Sequence, residues 1–203
     1  MILRGNFYEN IMSNSIFLLE LKFIFSCLYF FLPAYLANMT PPLAKKISFL
    51  KNFNTPVDFG LKLRRQCLFG SHKTWRGVFS AILVGMITVL IQGLLADSFS
   101  AFRGISQVDY GSQNLFFLGF LLAAGAMAGD LGSAFIKRRL NINPGGKFIP
   151  WDQTNYVIGA FIFAQPYLHL ELKVWFALFV STFFLHVAIN RFGYELGIHK
   201  AKW

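Results

Sequence analysis

A chain of 203 residues that is 55% hydrophobic and 18% aromatic, with 25 Phe and a mean hydropathy of +0.50, carries more apolar surface than a soluble domain of this size can hide. One all-α integral membrane domain over 1–203 is expected instead, and its two cysteines, Cys27 and Cys67, have neither C-x-x-C spacing nor a paired framework. The net charge of +10 would suit nucleic acid on a polar surface, but the cations cluster at the ends of apolar segments, which points to a lipid bilayer.

Apolar stretches that read as about five transmembrane helices run over 16–38, 77–96, 115–136, 156–170 and 174–192. A signal peptide competes for the first, since Arg4 precedes it. The end at Tyr35-Leu36-Ala37 lacks the small residue that cleavage needs, and four more spans follow. The fourth span is short, contains Pro166 and reads as starting inside the protein.

Between the spans, loop 39–76 holds Pro41, Pro42, Pro56, Gly60 and Gly70 with eight Lys/Arg against one acid, Asp58. Loop 137–152 holds four cations and the tail from Arg191 three, leaving only Arg4, Lys22, Arg103 and Lys173 elsewhere. By the positive-inside rule both basic loops and the C-terminus are cytoplasmic and the N-terminus is outside, an arrangement that five spans satisfy. No internal repeat is visible, which weighs against an inverted-repeat transporter.

The stretch 125–152 reads GAMAGDLGSAFIKRRLNINPGGKFIPWD. At about 100° per residue Asp130 and Lys137 share one helix face, with Ser133 close by. Gly125, Gly129 and Gly132 with Ala124 and Ala128 offer little bulk, so this helix packs closely, either within the bundle or across a homodimer. A carboxylate in such a run needs a polar cavity, a cation or a metal. The plainer reading makes Lys137, Arg138 and Arg139 topology-setting cations and Asp130 their structural partner. It leaves unexplained the second carboxylate, Asp152, after a Gly-rich break.

The run 70–77, GSHKTWRG, brings Lys73, Thr74 and Arg76 to the start of the second span, flanked by glycines that permit close backbone approach. It does not match a P-loop, and a lipid-headgroup anchor explains it equally well. Taken together, the two basic loops set Lys73, Arg76, Lys137, Arg138 and Arg139 around Asp130 and Asp152. Cations alone would hold an anionic lipid. Two added carboxylates suit Mg²⁺ bridging substrate phosphates, the combination that phosphoryl or nucleotidyl transfer uses.

Asp130 with S-x-x-x-K-R-R over Ser133–Arg139, then Pro144-Gly145 and Asp152-Gln153, resembles the signature of the phosphatidate cytidylyltransferases. With PAYLAN at 33–38, PVDFG at 56–60 and KTWRG at 73–77 in order, the chain more closely resembles the CDP-archaeol synthase family, over about Pro33 to Gly159. The resemblance implies transfer from CTP to a lipid monophosphate with Mg²⁺, giving a CDP-lipid and pyrophosphate. The acceptor it implies is a prenyl-ether glycerol phosphate such as digeranylgeranylglyceryl phosphate, with a phosphatidate left open. It further implies metal binding by Asp130 and Asp152, and contacts to the nucleotide phosphates from Lys73, Thr74, Lys137 and Arg138. Two positions depart from the pattern: Asn155 where the related signature carries an acid, and Ser71-His72 where acidic or Gly residues are common.

Catalysis is thus expected from Asp130, Lys137 and Asp152, with Lys73, Thr74, Arg76, Arg138 and Asn38 on the substrate. The acceptor phosphate is mostly dianionic near neutral pH, its second pKa being about 6, so no general base is needed. His72 reads as a solvated loop histidine and His186 as a packed one. Asn38 suits the cytosine edge or the ordering of the first loop, and Asp58 suits a turn beside Pro56 and Gly60. Trp75, Trp151 and Trp203 read as interfacial anchors. A CDP-alcohol phosphotransferase would carry further Asp at short helical spacing, and none lies within four residues of Asp130. The remaining alternative is a small membrane transporter of ions or lipids with Asp130 as its coupling site, which would move its cargo without CTP.

Overall fold

Apolar chain inside a bilayer must satisfy its own backbone N–H and C=O groups, and this chain does so with helices. The computed structural model describes residues 2–50, 53–63, 66–143 and 146–195. The Pro144-Gly145 turn, the cations Lys51, Arg64, Arg65, Lys200 and Lys202, and Trp203 lie outside the described residues.

The first apolar run is not the single straight helix expected over 16–38. It forms α1 (Ile2–Phe30) and α2 (Leu32–Ala44), bent by 48° where they meet. Pro33, in the first turn of α2, lacks the N–H that a continuous helix would use there and crowds the preceding turn. Helix α2 then runs through Pro41 and Pro42 to Ala44, into what the sequence reads as loop.

Three later helices are each long and apolar enough to cross a membrane: α3 (Trp75–Ser98), α5 (Leu115–Arg139) and α7 (Leu172–Glu195, counted to Phe192). The α1–α2 pair qualifies only when taken together. Helix α6 (Trp151–Leu168) does not qualify, because Asp152, Gln153, Thr154 and Asn155 make its first turns polar. It begins earlier than the span expected over 156–170, which puts Asp152 on a helix rather than in a loop. The short α4 (Ser100–Gly104) connects α3 towards α5.

Helix α5 is the centre of the bundle, in contact with α2, α3 and α6, while α7 closes over α6 and α1. Buried Phe31, Val89, Leu118, Leu122, Val157 and Leu178 fill the spaces between them. At the α5–α6 crossing the backbones themselves touch. A Cβ on Gly129 would collide with the Asn155 carbonyl, and one on Gly159 with the Gly125 carbonyl. The small face of α5 is thereby used within the chain. Gly132 departs from this pattern: a Cβ there would meet open space among the described residues.

The segment between α2 and α3 is folded back on itself. A two-residue hairpin, β1 (Lys62–Leu63) with β2 (Gln66–Cys67), projects from it. At its base the Val57 amide donates to the Lys73 carbonyl at 2.8 Å and the Trp75 amide to the Thr55 carbonyl at 3.0 Å. This clamp fixes where the chain enters α3.

Candidate active site

Helix α3 starts at a defined point because Thr74 caps it, its hydroxyl accepting from the Gly77 amide at 3.4 Å. Lys73 comes immediately before that cap, in a turn that leaves Gly70 at φ +96°, a conformation glycine adopts without strain. From there its Nζ reaches Asp130 Oδ2 on α5 at 2.5 Å.

A second pair joins the next two helices. Lys137 occupies the last turn of α5 and Asp152 the first turn of α6, positions where each charge opposes its helix dipole. Lys137 Nζ lies 2.8 Å from Asp152 Oδ2 and 3.0 Å from Oδ1. Ser133 Oγ approaches Oδ1 at 3.4 Å and the Phe148 amide donates to Oδ2 at 3.0 Å. Asp130 and Lys137, which share a helix face in the sequence, are therefore brought to one site but paired with partners from other segments.

Both pairs line a cavity of about 190 Å³ that also includes Ser133, Arg138 and His72. A neighbouring cavity of about 300 Å³ is lined by Asn38, Lys45, Thr74 and Val78, and it shares His72, Lys73 and Asp130 with the first. A third, apolar cavity of about 230 Å³ opens where Gly132 leaves room, walled by Ile136, Phe148, Trp151 and Ile162 and touching the first at Ser133. Asn155 faces this apolar cavity. Lys45 went unmarked by sequence reasoning, hidden among cations that look merely topological.

The structure does not bring Arg76 to the carboxylates. It is buried, with Nη1 donating to the Leu50 carbonyl at 2.8 Å and Nη2 to Asn54 Oδ1 at 3.1 Å. Arg139 likewise turns away, donating to the carbonyls of Leu63 at 2.8 Å and Cys67 at 3.0 Å, with Phe135 beneath its guanidinium. Asp58 is buried under the loop and receives the amides of Gly60 and Phe69 at 3.0 Å and of Gly70 at 3.4 Å. Burial pushes its carboxyl up, but those N–H donors outweigh it and hold the group below its ordinary value. Asp58 thus orders the turn that delivers Lys73. His186 is half-buried on α7, and Trp151 is exposed with its ring stacked on Phe148.

Among the described residues no three His, Cys, Asp or Glu converge on one point. The protein offers two carboxylates and no cage. That donor set fits a hard ion such as Mg²⁺, which takes one or two carboxylates and completes its shell with substrate phosphates and water.

The family model described as CarS-like, CDP-archaeol synthase, matches residues 20–203. A CDP-archaeol synthase of Pyrococcus horikoshii is 33% identical over 186 residues, covering 91% of this chain and 100% of its own. That of Pyrococcus abyssi is 36% identical, covering 89% and 98%. That of Methanocaldococcus jannaschii is 34% identical, covering 90% and 98%. Among solved structures, one described as an intramembrane enzyme for archaeal membrane lipids biosynthesis superposes with a TM-score of 0.65 at 27% identity, over 80% of this chain and 91% of that one.

Proposed function

The chain belongs to the CDP-archaeol synthase family, and from that premise we propose that it is an integral membrane, CTP-dependent lipid cytidylyltransferase. Its acceptor is a prenyl-ether glycerol phosphate. An oxygen of the acceptor phosphate attacks the α-phosphorus of CTP, the bond from that phosphorus to the bridging oxygen breaks, and pyrophosphate leaves. The observation that carries this reading is the single cavity in which Asp130, Asp152, Lys73 and Lys137 meet.

In this reading Asp130 and Asp152 would hold Mg²⁺, which would neutralise charge developing on the phosphates in transfer. Lys73 and Lys137, now held by the carboxylates, have the reach to turn their ammonium groups onto the phosphates. Arg138 borders the same space and adds positive charge. Thr74 acts as the helix cap that fixes Lys73, and Arg76 as the anchor of the loop behind it. Asn38 and Lys45 line the adjoining cavity, whose size and polarity suit the rest of the nucleotide. No side chain need serve as general base, since the acceptor is already dianionic at neutral pH. The basic loops and the C-terminus face the cytoplasm, where CTP is found.

Pyrophosphate release by the purified chain in detergent tests this, with CTP, Mg²⁺ and a panel of ether-linked prenyl and diacyl lipid monophosphates. Release that needs CTP, one acceptor and the divalent ion is expected, and chelation should abolish it. No release with any acceptor, from protein shown to be folded, would move the weight to the transporter reading.

A further inference from the structure

The reaction cavity meets two others at separate walls, and those two share no lining residue with each other. At Lys73 and Asp130 it meets the polar cavity, and at Ser133 the apolar one between α5 and α6. The walls of the apolar cavity are apolar side chains and glycines except at Ser133 and Asn155. Asn155 is only 7% exposed, and its side-chain amide has no hydrogen-bond partner among the described residues. The neighbouring Gln153 Oε1 is sealed off, whereas the Asn155 amide keeps its access through this cavity. A buried amide that faces an apolar space without a partner is costly, so the groove calls for an occupant with an oxygen at that level.

The order of groups along α6 identifies that occupant. Asp152, Asn155, Ile158 and Ile162 follow one another at helical spacing, so a carboxylate, an amide and apolar side chains succeed each other down one side of the helix. At about 1.5 Å per residue the amide lies about 4.5 Å along the axis from the carboxylate, and Ile162 about 15 Å. Ser133 Oγ, 3.4 Å from Asp152 Oδ1, joins the upper end of the groove to the reaction cavity. At the lower end Ile162 and Phe163 are exposed, so the groove is open sideways to the bilayer. A phospholipid has the same order: phosphate, then the oxygens of its glycerol, then hydrocarbon.

Resting on the cytidylyltransferase reading, we infer that this groove seats the acceptor lipid below its phosphate and that Asn155 is a specificity-determining residue, its Nδ2 donating to an oxygen of the acceptor's glycerol. One hydrocarbon chain continues past Gly132 and Ile158 and leaves between the helices at Ile162 and Phe163. Gly132 supplies the width for it, since a Cβ there would meet nothing within 4 Å. The polar cavity at the other wall is left to the nucleotide, so each substrate reaches the carboxylates from the side that matches its polarity.

Steady-state pyrophosphate release by the full chain in mixed micelles with Mg²⁺ tests this, with CTP and an ether-linked prenyl lipid monophosphate varied in turn. Asn155→Leu keeps the size, deletes the amide and leaves the backbone contact with Gly129 in place. It should raise the KM for the acceptor about tenfold and leave that for CTP unchanged. Gly132→Leu, a change at a position with open space, should fill the groove and raise the acceptor KM further, again with CTP unaffected. An unchanged acceptor KM in either variant, or a CTP KM that rises in step with it, would overturn the seat while wild-type turnover upheld the reading beneath it. No turnover by the wild-type chain with any acceptor would overturn both.

Discussion

The two basic clusters of this chain divide their cations in the same way. In each, a lysine reaches a carboxylate and an arginine a few residues on reaches loop backbone. Lys73 and Lys137 hold Asp130 and Asp152, whereas Arg76 and Arg139 hold the carbonyls of Leu50, Leu63 and Cys67. The chemistry of the two side chains accounts for the split. A guanidinium presents five donors in a rigid fork and can clamp several acceptors at once, while an ammonium is a point charge on a flexible stem. An ammonium on such a stem can exchange one partner for another, whereas the forked arginines keep the loops in place.

The strongest way to break this division is to remove its carboxylates. Asp130→Asn or Asp152→Asn should lower pyrophosphate release at least about 10³-fold, because several kcal/mol of charge stabilisation are lost at about 1.4 kcal/mol per decade. Helix content by circular dichroism should be unchanged; normal turnover in either variant would remove that residue from the site. Next in size is the lysine–arginine contrast itself. Lys137→Met should cut kcat/KM for CTP about 10²-fold, whereas Arg139→Met should mainly lower the melting temperature and expose the hairpin to protease. A reversal of those two outcomes would show that the roles are misassigned.

The alignment of Lys137 with Asp152 also depends on how closely α5 meets α6. Gly129→Ala, with its Cβ forced against the Asn155 carbonyl, should cost about 1–3 kcal/mol or more and be seen as a lower melting temperature and yield. Gly132→Ala has room and should be close to neutral. Smallest is the effect of acid on the loop clamp. Asp58 has a folded pKa below its ordinary 3.8, so its contribution is fully present above that value and is lost as pH falls through the depressed one. Amide exchange at Phe69 and Gly70 should therefore lose protection only at strongly acidic pH, and Asp58→Asn should remove that dependence.

Much of the site was legible because its chemistry is local in the chain. The motif order around Lys73, Asp130, Lys137 and Asp152 names the residues, and all four line one cavity. What spacing could not give was the pairing. Asp130 and Lys137 lie on one helix face, yet each finds its partner across an interface, since pairing depends on where α3 and α6 begin. Arg76 was misleading for a related reason: a cation in a phosphate-type run looks alike in sequence whether it faces a cavity or a carbonyl. The polar start of α6 was also hard to read, because hydropathy averages over the buried Thr154 and Asn155 without knowing that α5 covers them.

The sequence by itself determined that the chain is helical and membrane-embedded, and it singled out the carboxylates and lysines that line one cavity, because hydropathy and motif order are properties of the chain alone. The tertiary structure decided the bend at Pro33, the use of Gly129 rather than Gly132 for close contact, and the sorting of lysines from arginines. Each of these depends on which backbone atoms from distant segments arrive within a few ångströms, and linear spacing carries no information about that.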